Sequence, residues 1–589
     1  MAPDDDRADD TALGVGRSAR SRRWRLNAGR PELAAALRQR FELPEAVATV
    51  LSTRTASLEA AETFLNPRLR DLLPNPSDLL DMDKAAARVA RALAEGETIA
   101  ILADYDVDGA TSGALLTRTL RAFGAEPILY VPDREREGYG PNPAAMRQLR
   151  EAGASLVVTV DCGATALEAI DAANAVGLDV VVLDHHVGAD ETPNAFAVVN
   201  PNRSDETSPH GQMAAVGVTF LFAVALRRAV AAAGDLDLMG LLDLVALGTV
   251  ADVASITGVN RAFVAQGLKV MAGRRTPGIS ALMDVGGISA APKAYHLGFV
   301  LGPRINAGGR IGESGLGLDL LTTDDWVRAG DIAGRLDAYN RERQEIERAV
   351  LEAATPDAEA QAEAGAPLIA VRGDGWRQGV VGIVASRLAE RFGRPALVAS
   401  ELDGMTVGSG RSIAGVKLGP AVIALREEGL LAAGGGHDMA AGFRLPAAGF
   451  DAFRFALSER LAPEIAAAGI ERTLEIDGVV GPAGALGIAE AMERLAPFGA
   501  GNPEPRFAMA GLRLRHVDVI KDAHLRLRLE SADGARIDAM AFRAADRPLG
   551  SFLLGARGQT VHIAGRLEID AWRGRGEARM IVEDAAEAG

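Results

Sequence analysis

One cysteine, Cys162, occurs in 589 residues, so an internal disulfide is excluded and a reducing compartment is expected. Lysine is nearly as scarce. Five lysines (Lys84, Lys269, Lys293, Lys417, Lys521) stand among 63 basic residues, and the other 58 are arginines. Together with abundant alanine, this is accounted for by GC-rich coding. Aromatic residues number 26 (4 Trp, 5 Tyr, 17 Phe), so flat stacking surfaces are few. No long apolar run exists. The longest, 213–226, stops at Arg227-Arg228 after 14 residues, short of the ~20 that a membrane-spanning helix needs, and reads as a buried helix. The N-terminus opens with Asp4, Asp5, Asp6, Asp9 and Asp10 and has no apolar core, which excludes a secretory signal. A cytoplasmic protein without membrane association is the expectation.

The net charge is −16, which argues against a protein that simply coats a polyanion. The charge is unevenly placed. Residues 472–589 carry 16 Lys+Arg against 17 Asp+Glu, a net of −1, so the first 471 residues carry −15. Acids gathered to hold cations would give such a bias. The length suggests about four domains.

The fold class expected is multidomain α/β. Residues 1–25 read as a disordered tail and 26–95 as a helical N-terminal segment with breaks at Asn66-Pro67, Pro74 and Pro76. From 96 to 322 the rhythm changes. Continuous apolar strands at 98–103, 127–131, 155–160 and 178–183 alternate with helices, which predicts a parallel sheet covered on both faces. Residues 213–275 read as helical, and 301–317 as a Gly-rich segment. A long charged connector helix is expected over 323–365, exposed between domains. A mixed α/β unit follows over 366–465. Period-two alternation after 470 predicts an antiparallel β-barrel over 470–589. Arg513, Arg515, Arg526 and Arg528 would give it a cationic face, although solvated edge arginines are the commoner reading of such a pattern.

The acids fall at the ends of the predicted strands. Asp104, Asp106 and Asp108 leave the first strand in Ala-Asp-Tyr-Asp-Val-Asp-Gly, Asp161 directly follows the third, and Asp184-His185-His186 follows the fourth. Ligands of open parallel sheets collect at the carboxyl ends of strands, so three strand ends deliver carboxylates and imidazoles to one rim. Such a cluster is costly unless cations neutralise it. Asp252, in Gly-Thr-Val-Ala-Asp-Val, adds an acid from beyond the sheet. Carboxylate and imidazole without thiolate suits Mn²⁺ or Mg²⁺, and the number of ligands suits two ions clamping a phosphoester. A lone Asp-x-Asp reads as a helix cap and a lone His-His as a solvated turn; three strand ends together favour the ion centre. Cys162 reads as a small buried filler.

These pieces resemble the motifs of the DHH phosphoesterase superfamily. Further stretches resemble its RecJ branch, the bacterial single-strand-specific DNA exonucleases. They include 131–140 (Val-Pro-Asp-Arg-Glu-Arg-Glu-Gly-Tyr-Gly), 247–253, 302–310 (Gly-Pro-Arg-Ile-Asn-Ala-Gly-Gly-Arg), 379–387, 408–412 (Gly-Ser-Gly-Arg-Ser), 434–442 and 495–505. The resemblance runs in order over roughly 60–585. It implies a DHH domain, a connector helix, a DHHA1 domain and an OB-fold enclosing a channel for one strand. It also implies 5′→3′ hydrolysis of single-stranded DNA to mononucleotides with two Mn²⁺ or Mg²⁺ ions, in repair and recombination, by a monomer that works with a single-strand-binding protein and a helicase. By position, Asp106, Asp108, Asp161, His185 and Asp252 become metal ligands and Asp104 a closely placed acid. Asp184 and His186 become catalytic, His186 at the scissile phosphate or the leaving oxygen.

Ser409 and Arg411, in a glycine-flanked loop, are expected to hold a terminal 5′ phosphate, although Gly-Ser-Gly-Arg-Ser by itself also describes an ordinary turn. Arg304, Asn306 and Arg310 are expected on the backbone phosphates, with Arg134 in reach of the metal rim. Tyr139 is either a base-stacking surface or a loop anchor; His437 either faces the channel or caps its loop. Two departures stand out: Ala103 where the family has Gly, and Trp376-Arg377 where it has Trp-His. A DHH phosphodiesterase for short oligonucleotides or cyclic dinucleotides shares the acids but has no use for the β domain. A non-catalytic DNA-binding scaffold would not keep every acid.

Overall fold

A computed structural model describes residues 10–134, 136–188, 191–230, 236–468, 472–570 and 576–588. The chain divides into two compact units, one formed by Pro74–Ala254 and Gln266–Ile470, the other by the described residues of 1–73, Ser255–Ala265 and 471–589.

The first unit is built on a five-stranded parallel sheet in the order Ile128–Tyr130, Ile99–Ala103, Leu156–Val160, Asp179–Leu183, Ala197–Val199. The central strands Ile99–Ala103 and Leu156–Val160 are buried along their whole length, as helices on both faces require. The order reverses between them, which places the crevice of a doubly wound sheet at their carboxyl ends. Helix Val107–Ala122 starts there, capped by Asp106, whose side chain accepts from the N–H groups of Asp108 and Gly109. The apolar run becomes helix Ala215–Ala229, almost wholly buried.

The Gly-rich segment is helical. A π-helical turn, Leu297–Leu301, runs into helix Gly302–Ile311, and Leu316–Thr322 is a further helix. Glycine's low helix propensity is overridden because its missing Cβ permits close packing. A Cβ at Gly309 would lie 3.0 Å from the Tyr105 ring. Helix Trp326–Glu363, 38 residues long, is less exposed than its charge suggests. Ala329, Ile332, Leu336, Val350, Ala354 and Ala358 form a buried stripe, and Asp337, Asn340 and Glu347 are buried with it. Beyond it lies a sheet ordered Ala433–His437, Ala440–Pro446, Met405–Arg411, Ala396–Leu402, Ile369–Asp374, parallel only in its last pair.

In the second unit, strands Phe507–Ile520, His524–Glu530, Arg536–Ala541, Glu577–Glu587 and Thr560–Asp570 form a sheet whose last strand pairs back with the first. It is a closed five-stranded barrel with one parallel pair, Arg536–Ala541 with Glu577–Glu587, and helix Pro548–Gly555 lies between its third and fourth strands in sequence. This is the OB arrangement. Leu37, Val47 and Leu51 of the N-terminal helices share a core with Phe507, Leu527 and Ile563. Residues 26–95 are therefore not one segment: 31–72 belong with the barrel, while helix Met82–Glu95 lies in the first unit. Nor are 10–25 a disordered tail. Strand Arg23–Leu26 pairs with Thr473–Ile476, and buried Trp24 donates to Asp584 at 3.3 Å. Residues 1–9 lie outside the described residues. No helix among the described residues is long and apolar enough to cross a membrane.

Candidate metal centre and nucleic-acid interface

Asp104, Asp106 and Asp161 leave the two strands that flank the reversal of sheet order, and His185 leaves the next strand along. Asp252 caps the C-terminus of helix Leu242–Ala251. Three sets of side chains have ligand atoms within 4.8 Å of one another: Asp104, Asp106 and Asp161; Asp161, His185 and His186; Asp108, His185 and Asp252. Asp161 and His185 each belong to two sets, so the sets form one continuous cluster. His185 Nε2 is 3.3 Å from Asp161 Oδ1, 3.8 Å from Asp252 and 3.9 Å from Asp108.

Backbone geometry holds these groups before any ion arrives. Asp161 sits at φ +60°, a conformation that costs a non-glycine residue free energy and collects at functional sites. The Asp108 carboxylate accepts from Ala215 N (2.6 Å) and Val216 N (2.9 Å), at the positive end of a helix. Gly109 lets the turn close, since a Cβ there would lie 2.3 Å from the Asp104 carbonyl oxygen. The Ala103 methyl faces Gly113, where an added Cβ would come within 3.2 Å of it.

The electrostatics call for cations. Burial, reinforced by Asp106, pushes Asp104 up to about 8 and Asp252 up to about 7. Burial and the neighbouring carboxylates also raise Asp108 and Asp161 well above the carboxylate range. Burial, with His186 beside it, lowers His185 to about 4, which keeps it a neutral ligand. Among the described residues, Asp104 Oδ1, Asp161 Oδ1 and His185 Nε2 are buried without a hydrogen-bond partner. Orphaned donor atoms of oxygen and imidazole type, converging with no thiolate, fit divalent Mn or Mg.

Asp184 is different. Its Oδ1 accepts from His185 N, His186 N and His186 Nδ1 (2.7, 3.2 and 2.8 Å), and its Oδ2 from Ala164 N at 2.9 Å. Burial would raise this carboxyl, but the His186 bond and the backbone donors hold it below its usual value. Burial likewise opposes the His186 imidazolium, and the Asp184 bond outweighs it, raising that pKa. Asp184 thus orients His186 and points no free oxygen at a substrate. Sequence reasoning missed Asn200 and Asn202, whose amides hold the carbonyls of His186 (2.8 Å) and His185 (2.6 Å). Asn-Pro-Asn just after a strand was the available signal.

Tyr139 lies on the rim. Its hydroxyl donates to Asp161 O at 3.0 Å and is 3.2 Å from His186 Nδ1, while its residue surface is 52% exposed. A second cluster gathers cations. Arg134 lies over the Tyr105 ring at 5.2 Å, and Arg310 donates to Gly379 O at 2.9 Å. Arg411 donates to Ser409 Oγ at 2.8 Å. Burial, followed by the charge of Arg134, lowers Arg310 to about 10 and also lowers Arg411. Ser409 and Arg411 lie on strand Met405–Arg411 rather than in a loop, against the first turns of helix Gln378–Phe392, where a Gly382 Cβ would meet both at 3.0–3.1 Å. Guanidinium groups beside a helix N-terminus make an anion site. Arg377 is exposed near Ile311 O.

Other expected contacts differ. Arg304 is ion-paired to buried Asp337 at 2.9 Å, which ties helix Gly302–Ile311 to the long helix. Asn306 Oδ1 is buried without a partner. His437 ends the edge strand Ala433–His437 and is exposed. Three of the four barrel arginines are neutralised by neighbouring acids: Arg515 pairs with Glu530, Arg526 with Asp518 and Arg528 with Asp538.

Family models match the DHH family N-terminal domain at 98–249, the DHHA1 domain at 365–462 and the RecJ OB domain at 476–584. The fold and site are thus those of a DHH-type protein with a DHHA1 partner domain. The chain is 38% identical over 519 residues to the single-stranded-DNA-specific exonuclease RecJ of Dickeya dadantii, covering 85% of this chain and 89% of that one. It is similar to the crystal structure of RecJ from Thermus thermophilus in complex with Mn²⁺ (TM-score 0.80, 30% identity, 96% of this chain and 80% of that chain). The Mg²⁺ complex of the same enzyme gives a TM-score of 0.74 at 29% identity, over 96% of this chain and 78% of that one. The chain belongs to the RecJ family of single-stranded-DNA-specific exonucleases.

Proposed function

We propose that the protein hydrolyses single-stranded DNA from its 5′ end to mononucleotides. The observation that carries this reading is the pairing of an orphaned carboxylate–imidazole cluster with an arginine-lined anion site that shares residues of one helix and two domains. Asp104, Asp106, Asp108, Asp161, His185 and Asp252 would hold two Mn²⁺ or Mg²⁺ ions, which when bound would supply charge neutralisation at the scissile phosphate and a more acidic water. Arg134, Arg310, Ser409 and Arg411 grip the terminal phosphate and so fix which bond is presented. His186, kept a proton donor by Asp184, serves the leaving oxygen. Tyr139 holds the rim at Asp161 and offers its exposed ring to the terminal base. Asn306 belongs to the same strand-contacting helix, while Arg304 supports that helix and His437 is left outside the contact set.

The same reading places the enzyme in the cytoplasm, as a monomer acting in repair and recombination on strands delivered by a helicase and a single-strand-binding protein. A short-oligonucleotide phosphodiesterase would leave the barrel without a task. The test is a product time course with Mn²⁺ on strands labelled at the 5′ or 3′ end, beside matched duplexes. Immediate mononucleotide from the 5′ label, with the duplex spared, is the expected result. Early mononucleotide from the 3′ label would overturn the polarity, and cleavage of dinucleotides alone would overturn the substrate.

A further inference from the structure

The structure assigns a second base-stacking surface to Phe299 and Tyr295, remote from the terminal-phosphate site and in contact with the strand several nucleotides downstream of its 5′ end. This inference rests on the single-strand reading above and extends it.

The two rings stack on each other, with centroids 5.0 Å apart and planes 23° apart, and both are open to solvent (72% and 62% exposed). In a chain with so few aromatic residues, a preassembled and uncovered aromatic pair is a costly surface to leave in water. It sits on irregular backbone: Phe299 belongs to the π-helical turn Leu297–Leu301, a device that re-aims side chains and recurs at functional sites. The turn packs against helix Leu242–Ala251, whose C-terminus Asp252 caps, and the start of helix Val107–Ala122. A Cβ at Gly298 would lie 3.5 Å from Val250, two residues before Asp252, and one at Gly302 would lie 3.3 Å from Ala251 and 3.7 Å from Val107. The backbone that carries the pair therefore packs beside the metal rim.

The positions that follow continue the same side of the helix. From Tyr295 and Phe299, steps of four, three and four residues reach Pro303, Asn306 and Arg310, the spacing of one helical face. These three residues are partly exposed, whereas Leu301, Gly302, Ile305, Gly308 and Gly309 on the opposite side are buried. The face begins in aromatic rings, passes a buried and unpartnered Asn306 Oδ1, and ends in Arg310 at the anion site. Partly exposed Asn306 thus lies between a stacking surface and a guanidinium on one side of the helix. At 1.5 Å per residue, Phe299 is ~16 Å along the helix from Arg310, or about five stacked nucleotides at ~3.4 Å each and fewer in an extended strand. The sequence of stacked rings and then a guanidinium, continuous with the site proposed for the terminal phosphate, matches one nucleic-acid strand, whose bases stack and whose backbone is anionic.

The test is equilibrium binding of wild type, Phe299→Ala and Phe299→Trp to 5′-phosphorylated oligothymidylates of 3 and 12 nucleotides, without divalent ions so that nothing is cut. Hydrolysis of the trimer with Mn²⁺ is measured alongside. Phe299→Ala is expected to weaken 12-mer binding about tenfold while leaving trimer binding and trimer hydrolysis within twofold of wild type, and Phe299→Trp to restore the 12-mer. Equal losses on both lengths, or no loss on either, would overturn the assignment. A second variant, Tyr295→Ala, guards against a folding defect in the first and is expected to show the same length dependence. Failure of the exonuclease reading itself would look different: wild type would release no nucleotide from any strand, whatever the length dependence of binding.

Discussion

His186 Nδ1 lies 2.8 Å from Asp184 Oδ1, an oxygen that also takes the backbone N–H groups of both histidines. One carboxylate thereby sets the orientation of the adjacent imidazole and the turn that carries it. Asp184→Asn is expected to lower kcat about 10- to 100-fold, the usual cost of losing an orienting acid. KM for the strand and the half-saturating Mn²⁺ concentration should stay within about twofold. A large shift in the Mn²⁺ titration would instead make Asp184 a ligand.

Asp161 lies at the overlap of two ligand sets, and its Oδ1 is orphaned. Asp161→Asn should cut hydrolysis about 1000-fold or more, while strand binding measured in EDTA is retained. Because the substitution removes a buried carboxylate that lacks a counter-charge, the metal-free variant should melt above metal-free wild type. In wild type alone, added Mn²⁺ should raise the melting temperature.

The stripped protein should also lose stability as pH rises. Asp104 and Asp252 titrate in the fold near 8 and 7, against ~3.9 when unfolded. Between these limits the folded chain holds protons that the unfolded chain has released, so raising the pH favours unfolding, by at most about 1.4 kcal/mol per pH unit per group. Melting temperatures in EDTA should fall from pH 5 to pH 8, and the stabilisation gained from Mn²⁺ should grow over the same range. A flat EDTA series would mean that the acids are already neutralised from within the protein.

Arg411 and Ser409 face the start of helix Gln378–Phe392. Arg411→Gln should abolish the preference for 5′-phosphorylated over 5′-hydroxyl strands, raising KM about tenfold for the former only, a typical loss for a charge-assisted contact. Competition between the two substrates in one reaction measures this directly.

Gly109→Ala places a methyl 2.3 Å from the Asp104 carbonyl. The turn must open, so activity should vanish and stability should fall by about 2 kcal/mol. Gly113→Ala, which meets only the side chains of Leu318 and Ala103, should cost less. Equal denaturation midpoints for the two variants would argue against backbone closure as the constraint.

The acid constellation was legible because a parallel sheet sends every strand's carboxyl end to the same side; apolar runs located the strands, and the clustered acids and histidines began at the next residue. The division of labour between Asp184 and its neighbours was not legible, since position at a strand end is shared and only side-chain direction separates an orienting acid from a ligand. Pairings across long sequence distances were hidden for the same reason. Strand Arg23–Leu26 finds its partner at Thr473–Ile476 through a register that no local pattern gives. The helix Gly302–Ile311 was obscured by its glycines, which local propensity reads as loop and which close packing against Tyr105 turns to advantage.

The proposed ligands come from the ends of three strands and from two helix termini, so no single segment of chain owns the centre. A sheet paired one residue out of register would swing the affected ligand to the far side of its strand, and the ion would find an incomplete site. Divalent ions should therefore bind the finished sheet and pass over its misaligned competitors, so that Mn²⁺ or Mg²⁺ present during refolding acts as a proofreader of strand register as well as a participant in the chemistry.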